Sequence, residues 1–175
     1  FNGWSVTQGG SKITLSSTSS LTTQVTKALS DGTITADFKE KKNTVTISYK
    51  SGNTNLQSNT TQSVGEAKAT NIAAPTIPGY TFAGWTLGTG IVNKSADTNV
   101  NPISITTNSS GSGYTLTANY EKAKYTLTFG VRGGIGGSVK ATVGGKAITS
   151  PSTLEHGTQI NLTATAKDGY KFSKW

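Results

Sequence analysis

Gly79-Tyr80-Thr81-Phe82-Ala83-Gly84-Trp85 is matched by Phe1-Asn2-Gly3-Trp4 at the start of the chain and by Gly169-Tyr170-Lys171-Phe172-Ser173-Lys174-Trp175 at its end. All three tryptophans therefore stand in one F-x-x-W frame, and a frame that returns at long intervals marks a tandem array of modules. A second anchor follows the first two tryptophans. Ile34, Ala36, Phe38, Val45 and Ile47 overlie Leu116, Ala118, Tyr120, Leu127 and Phe129 without a gap. Trp4 and Trp85 are 81 positions apart, and Phe38 and Tyr120 are 82 apart, as are Val45 and Leu127. The 175 residues then divide into 1–42, the C-terminal half of a repeat, 43–123, a complete repeat, and 124–175, the N-terminal half of a further repeat. The absence of Met at position 1 marks the chain as a processed or cut piece of something longer.

The fold class follows from periodicity and composition. Apolar residues make up only 33% of the chain and charged residues 14%, with Thr, Ser, Gly and Asn abundant, which suits short half-buried strands joined by polar turns. Alternation puts Ile34, Ala36 and Phe38 on one strand face, Val45, Ile47 and Tyr49 on another, and Leu116, Ala118 and Tyr120, then Tyr125, Leu127 and Phe129, on their repeats. Val139, Ala141 and Val143 run to Gly144-Gly145, a hairpin signal into Lys146 to Ile148. Ile160, Leu162, Ala164 and Ala166 run through Asp168-Gly169 toward Trp175, a second hairpin signal. The one helix candidate is Val64 to Ala74, two turns stopped by Pro75. The expectation is an all-β or β-rich α+β chain, a serial, elongated array of small β-sheet modules. Modules of about 80 residues bury a small share of their surface, so contacts with neighbouring repeats of the same or an adjacent chain matter for their stability. The charged junctions Glu40 to Asn43 and Glu121 to Lys124 lack Gly and Pro, so they should be stiffer than a Gly/Ser linker. Ser16 to Ser20 and Asn108 to Gly113 read as exposed loops.

Several function classes are excluded or disfavoured. Without cysteine there is no disulfide, thiolate metal site or thiol nucleophile. No stretch reaches the roughly 18 apolar residues of a membrane span. The net charge of +8 suits anionic cell-wall polymers or glycans as partners. The cations are scattered, however, and Lys39 to Lys42 is the only cluster, so no specific nucleic-acid binding is expected. A Ser/His/Asp triad would need His156, the sole histidine. It sits in Glu155-His156-Gly157 and reads as a solvated turn residue before the strand Thr158 to Ala166. Gly133 to Gly137 lacks the spacing of a phosphate loop and reads as a hairpin tip. The eight acids fall in no paired-carboxylate motif, and no Lys, Asn and acid trio is singled out for an isopeptide crosslink. No cofactor is implied, and an enzyme is the least favoured class.

The pattern G-Y-x-F-x-G-W, a polar variable stretch, then T-x-A-N-Y/F and a following Y-T-L-T-F strand resembles the internalin-type B-repeats, or Listeria–Bacteroides repeats, of bacterial surface proteins, including their divergent InlB type. The resemblance spans nearly the whole chain. It implies a small β-rich module, β-grasp-like in some members, in an extracellular protein, secreted or attached to the cell surface. The third unit departs from the pattern in having Lys174 where the others have Gly, and in carrying Val131 to Gly137 with no equivalent. The structural anchors of the repeat are Phe1, Trp4, Phe38, Phe82, Trp85, Tyr120, Phe172 and Trp175. Their aromatic pairs are read as module core rather than as an exposed sugar platform, because a buried ring contributes about 1.5–3 kcal/mol. The resulting expectation is a non-catalytic stalk, spacer or adhesin segment. Two alternatives are a filament subunit joined head to tail by complementing half-repeats, and a carbohydrate- or host-protein-binding module using loops such as Gly88 to Asn101.

Overall fold

A computed structural model describes residues 1–8, 15, 17–25, 32–109 and 111–175. The expected loops Ser16 to Ser20 and Asn108 to Gly113 each include one position, 16 and 110, outside that range. The strands are β1 Gly3–Gln8, β2 Gly32–Asp37, β3 Lys42–Ser51, β4 Thr54–Asn55, β5 Thr60–Gly65, β6 Thr70–Ile72, β7 Tyr80–Leu87, β8 Ile91–Asn93, β9 Ile103–Thr107 and β10 Thr115–Lys122. They continue as β11 Lys124–Leu127, β12 Gly137–Val143, β13 Lys146–Ile148, β14 Ser152–Glu155 and β15 Asn161–Ala166. The chain is all-β, and the only helical turn among the described residues is a 3₁₀ turn at Arg132–Gly134.

The middle of the chain holds the core. β3 lies between β5 on one side, with β4 beyond it on the same edge, and β10 on the other, and β10 pairs in turn with β7. β3 and β10 run parallel, with Leu116 beside Ile47 and Ala118 beside Tyr49, whereas β10 and β7 are antiparallel. The first and last strands thus sit parallel at the centre, flanked by the second and third, in the order of a β-grasp. In place of a helix, the three-stranded sheet β6–β9–β8 covers one face. Alternation explains the division: Val45, Ile47 and Tyr49 of β3 and Leu116, Ala118 and Tyr120 of β10 are buried, while Thr44, Thr46, Thr117 and Asn119 point the other way. Ile72, Ile103 and Ile105 from the covering sheet close the same cluster with Val64, Trp85 and Tyr114.

The helix expected over Val64 to Ala74 is absent. Val64 is fully buried as the end of β5, where it pairs with Asn43, and Ile72 is buried on β6 opposite Ile103. Burial of both apolar ends in two different ladders outweighs the weak helix preference of Glu66-Ala67-Lys68-Ala69 between them. Elsewhere β12 and β13 form the hairpin turning at Gly144-Gly145, and β15 pairs with β12 on its other side. Two local readings change. Gly133 to Gly137 is no hairpin tip: it runs from the 3₁₀ turn Arg132–Gly134 into the first residue of β12, within a connection between β11 and β12, two strands of different sheets. Tyr170 to Trp175 follows the expected turn after β15, where Tyr170 N–H donates to Lys167 O at 3.0 Å, but enters no strand.

The last segment is thinly packed, with Ala141 its only buried hydrophobic residue among those described. Leu116→Ala, which empties a fully enclosed site, is expected to cost about 2–5 kcal/mol. Val139→Ala in the last segment should cost much less, and urea unfolding followed by tryptophan fluorescence compares them.

Candidate functional site

Two features are built by residues from different parts of the repeat: the aromatic anchor and the seam between successive repeats. The anchor begins with a bulge. Between β7 and β10 the register steps from Asn119–Gly84 to Tyr120–Phe82, leaving Ala83 as the extra residue. Gly84 takes φ +125° there, a conformation that L side chains avoid. The bulge turns the Trp85 backbone N–H onto Thr98 O at 2.9 Å, and the Trp85 indole N–H donates to Val100 O at 3.0 Å. Phe82 packs edge-on against both Trp85 and Tyr120, with centroids 5.4 and 5.9 Å apart, and the Tyr120 hydroxyl donates to Pro75 O at 2.7 Å. Burial and the nearby Tyr49 raise the Tyr120 pKa.

The same device recurs at the start of the chain. Gly3 has φ +142°, Trp4 N–H donates to Thr18 O at 3.0 Å, and the Trp4 indole donates to Ser20 O at 2.8 Å. Phe1 lies 5.5 Å from both Trp4 and Phe38, edge-on. Trp4 pairs with Ala36 as Trp85 pairs with Ala118. The third copy keeps only the ring pair, Phe172 to Trp175 at 5.3 Å. The anchors differ in burial: Trp85 is 4% and Tyr120 3% exposed, against 73% for Phe38 and 67% for Trp175. Phe1 and Phe172 are exposed as well, and Phe82 is half-buried. Around Trp175, Phe172, Tyr170 and Ile135 runs an open groove of about 230 Å³ bordered by Arg132 and Lys171.

The seam is equally specific. β10 ends at Lys122 and β11 begins at Lys124, so a single residue, Ala123, joins them. Ala123 N–H donates to Gly79 O at 2.9 Å, and Ala123 O accepts from His156 N–H at 2.7 Å. The His156 ring rests on the Ile77 to Tyr80 turn, where Gly79 has φ +79° and a Cβ would stand 2.0 Å from the imidazole Cδ2. Tyr125 meets the opposite strand end with its ring 6.1 Å from His156. The upstream junction has the same frame with other chemistry. Glu66 N–H donates to Lys41 O at 3.0 Å, as His156 N–H does to Ala123 O. The Glu66 carboxylate accepts from Asn43 Nδ2 at 3.0 Å and pairs with Lys41 Nζ at 3.0 Å. Those contacts hold Glu66 below the ordinary glutamate range, the Asn43 hydrogen bond contributing most. Glu40, in the junction itself, accepts the backbone N–H groups of Ala67 and Lys68.

His156 is exposed in a turn, as the sequence suggests, yet it touches a glycine 77 positions earlier, a contact without any local sequence signal. The bulge glycines were visible in the motif but not their purpose. Among the described residues the buried polar side chains are Thr106 and Thr107, and no carboxylate is buried beside a lysine. The stretch Gly88 to Asn101, read as a variable loop, contains β8.

A small β module with an F-x-x-W aromatic anchor, returning along the chain and running into its neighbours through junctions of one and four residues, defines a tandem-repeat protein. The family model of the divergent InlB B-repeat domain matches residues 43–124 and 136–175, and the chain belongs to that family. No curated protein and no solved structure matches it significantly. The family is one of bacterial surface repeat modules rather than of catalytic domains. No helix among the described residues is long and apolar enough to cross a membrane.

Gly84→Ala should lower stability by about 1–3 kcal/mol, because it forces a side chain into the bulge conformation. Gly52→Ala, at φ +56° in the left-handed region that L residues enter at lower cost and with no atom near its Cβ, should lower stability less than Gly84→Ala. Because Glu66 titrates below its unfolded value, its contribution is present above the ordinary glutamate range and is lost as pH falls through its folded pKa. The carboxyl carbon shift of Glu66, followed by NMR from neutral to acidic pH, should have its midpoint below the ordinary glutamate range, and Asn43→Ala should move it upward.

Proposed function

We propose that this chain is a non-catalytic spacer segment of an extracellular bacterial protein, a stalk that sets the distance and direction of whatever it carries. The observation that supports this reading best is the seam. One residue joins β10 to β11, and its N–H and C=O are held by Gly79 on one side and His156 on the other. A spacer needs junctions that transmit direction, and a junction with both backbone groups engaged has little freedom left compared with a Gly/Ser linker. Glu40 and Glu66 give the upstream junction its own fastening. Wet faces rich in Thr keep such strands soluble without a large core, and the net charge of +8 favours loose contact with anionic cell-wall polymers.

Residual dipolar couplings test the spacer reading. Residues 43–122 and 124–166 are expected to share one alignment tensor, and Gly79→Ala, which drives a methyl into the His156 ring, should split it into two. Independent tensors in the unaltered chain would sink the proposal. Contact with anionic polymer should fade as salt rises past the range where the Debye length falls below about 8 Å, and salt-insensitive binding would point instead to a defined ligand.

A further inference from the structure

The middle repeat is entered at one end of its main sheet and left at the other. The chain arrives at Lys42, the first residue of β3, and leaves at Lys122, the last residue of β10. These two strands are direct neighbours and run parallel, with five residue pairs in register from Thr46 beside Thr115 to Lys50 beside Asn119. Thr46 N–H donates to Tyr114 O at 2.9 Å just below them. Lys42 lies four residues before Thr46, and Lys122 three residues beyond Asn119. Entry and exit therefore stand about 35 Å apart along the strand direction, at ~3.3 Å per residue. Beyond Lys122 the single residue Ala123 leads into β11, with its N–H held by Gly79 and its C=O by His156.

We propose that the β3–β10 ladder is a mechanical clamp, so that a complete repeat bears tension along the chain as well as setting its reach. The use of such a clamp rests on the spacer reading, whereas the resistance itself depends only on the sheet. Tension draws the start of β3 one way and the end of β10 the other. Because the strands are parallel and adjacent, that pull runs lengthwise along both and slides one past the other. The hydrogen bonds between them then carry the load together. An antiparallel pair pulled from neighbouring ends behaves differently, since its bonds take the load one at a time and open in turn. β10 and β7 offer that second geometry in the same repeat, with Lys122 opposite Tyr80 and Glu121 opposite Thr81 at one end of their ladder.

The surroundings of the ladder suit it to this load. It lies inside the sheet, with β5 on the far side of β3 and β7 on the far side of β10. One face is sealed by Val45, Ile47 and Tyr49 from β3 and by Leu116, Ala118 and Tyr120 from β10, all of them buried. On the other face Thr46, Ser48, Thr117 and Asn119 are half-buried. The ladder is thus screened from water, in which a backbone hydrogen bond is weaker. Sliding β10 past β3 would also draw Leu116 and Ala118 away from Ile47 and Tyr49, and the Tyr120 hydroxyl off Pro75 O. β5 hangs on β3 and β7 on β10, so neither stands in the direct line from Lys42 to Lys122.

The test is single-molecule force spectroscopy of the 175-residue chain, pulled through two pairs of attachment points. The chain has no cysteine, so introduced thiols define them. Lys42→Cys with Lys122→Cys loads the parallel ladder lengthwise, and Thr81→Cys with Lys122→Cys loads the antiparallel one from its end. All three side chains are exposed, and unchanged thermal unfolding will show that the variants fold. At one pulling speed the first pair should give way in a single step, at a severalfold higher force than the second. Its 81 residues should then lengthen by about 230–260 Å as they become extended. Both pairs probe one fold of one equilibrium stability, and forced unfolding is governed by the barrier to unfolding, so a difference between them comes from the direction of load. Equal forces, or a lower force for the first pair, would overturn the clamp. A shared alignment tensor with equal forces would keep the spacer and remove the clamp, whereas independent tensors with a higher force for the first pair would do the reverse.

Discussion

The parallel pairing of β10 with β3 is the constraint on which the rest of this molecule depends. It joins the first and last strands of the middle repeat, so the main sheet cannot be completed until the whole repeat has been made. β10 then carries three duties at once. Its inward residues Leu116, Ala118 and Tyr120 floor the core, its other edge receives the bulged strand that positions Trp85, and its end continues through Ala123 into the next repeat. A contact of such long sequence separation is slow to form, because the loop must close before the pairing rewards it. Once formed, it makes the repeat cooperative, since none of the smaller ladders encloses a core without it.

The bulge shows how one backbone requirement shapes a sequence motif. Phe82 and Trp85 would lie on opposite faces of a regular strand, being three positions apart. The extra residue at Ala83 brings both rings to the same side, and Gly84 makes the necessary turn. F-x-G-W is therefore a geometric unit, and the glycine within it is as necessary as the rings. Its replacement by Lys174 in the third copy removes the turn while leaving the two rings 5.3 Å apart, so ring proximity survives where strand pairing does not.

Much of the fold was legible because alternation marks strands, although in β15 the alternating residues stay largely exposed. β3, β10, β12 and β15 all lie where apolar residues recur at every second position, and the turn at Gly144-Gly145 follows from residue chemistry. The 82-residue offset foretold that Ala36 and Ala118 have equivalent surroundings, and both lie beside a tryptophan. What alternation does not carry is which strands meet. Val64 to Ala74 contains enough Ala, Glu and Lys to suggest a helix, and only the burial of Val64 and Ile72 in separate sheets explains why it is extended. The covering sheet β6–β9–β8 was illegible for a related reason, since strands of three to five residues are too short to show a period. The site residues were recognised as aromatic repeats, whereas the seam was not, because His156 and Gly79 are related only through the fold.

The two junctions show what the family architecture holds fixed and what it leaves free. At both, an N–H at the end of the second strand donates to a carbonyl of the linking residues, Glu66 to Lys41 and His156 to Ala123. The side chains beside that bond differ completely: a carboxylate with a lysine and an asparagine in one, an imidazole with a tyrosine ring and a glycine turn in the other. Backbone geometry thus sets where the next repeat begins, and side chains tune how firmly it is held. Charge tuning is sensitive to salt and acid, since solvent and ions screen a pair at the surface and acid protonates its carboxylate. The packed ring on Gly79 depends instead on shape, so successive repeats of one chain can share a direction and still differ in what loosens them.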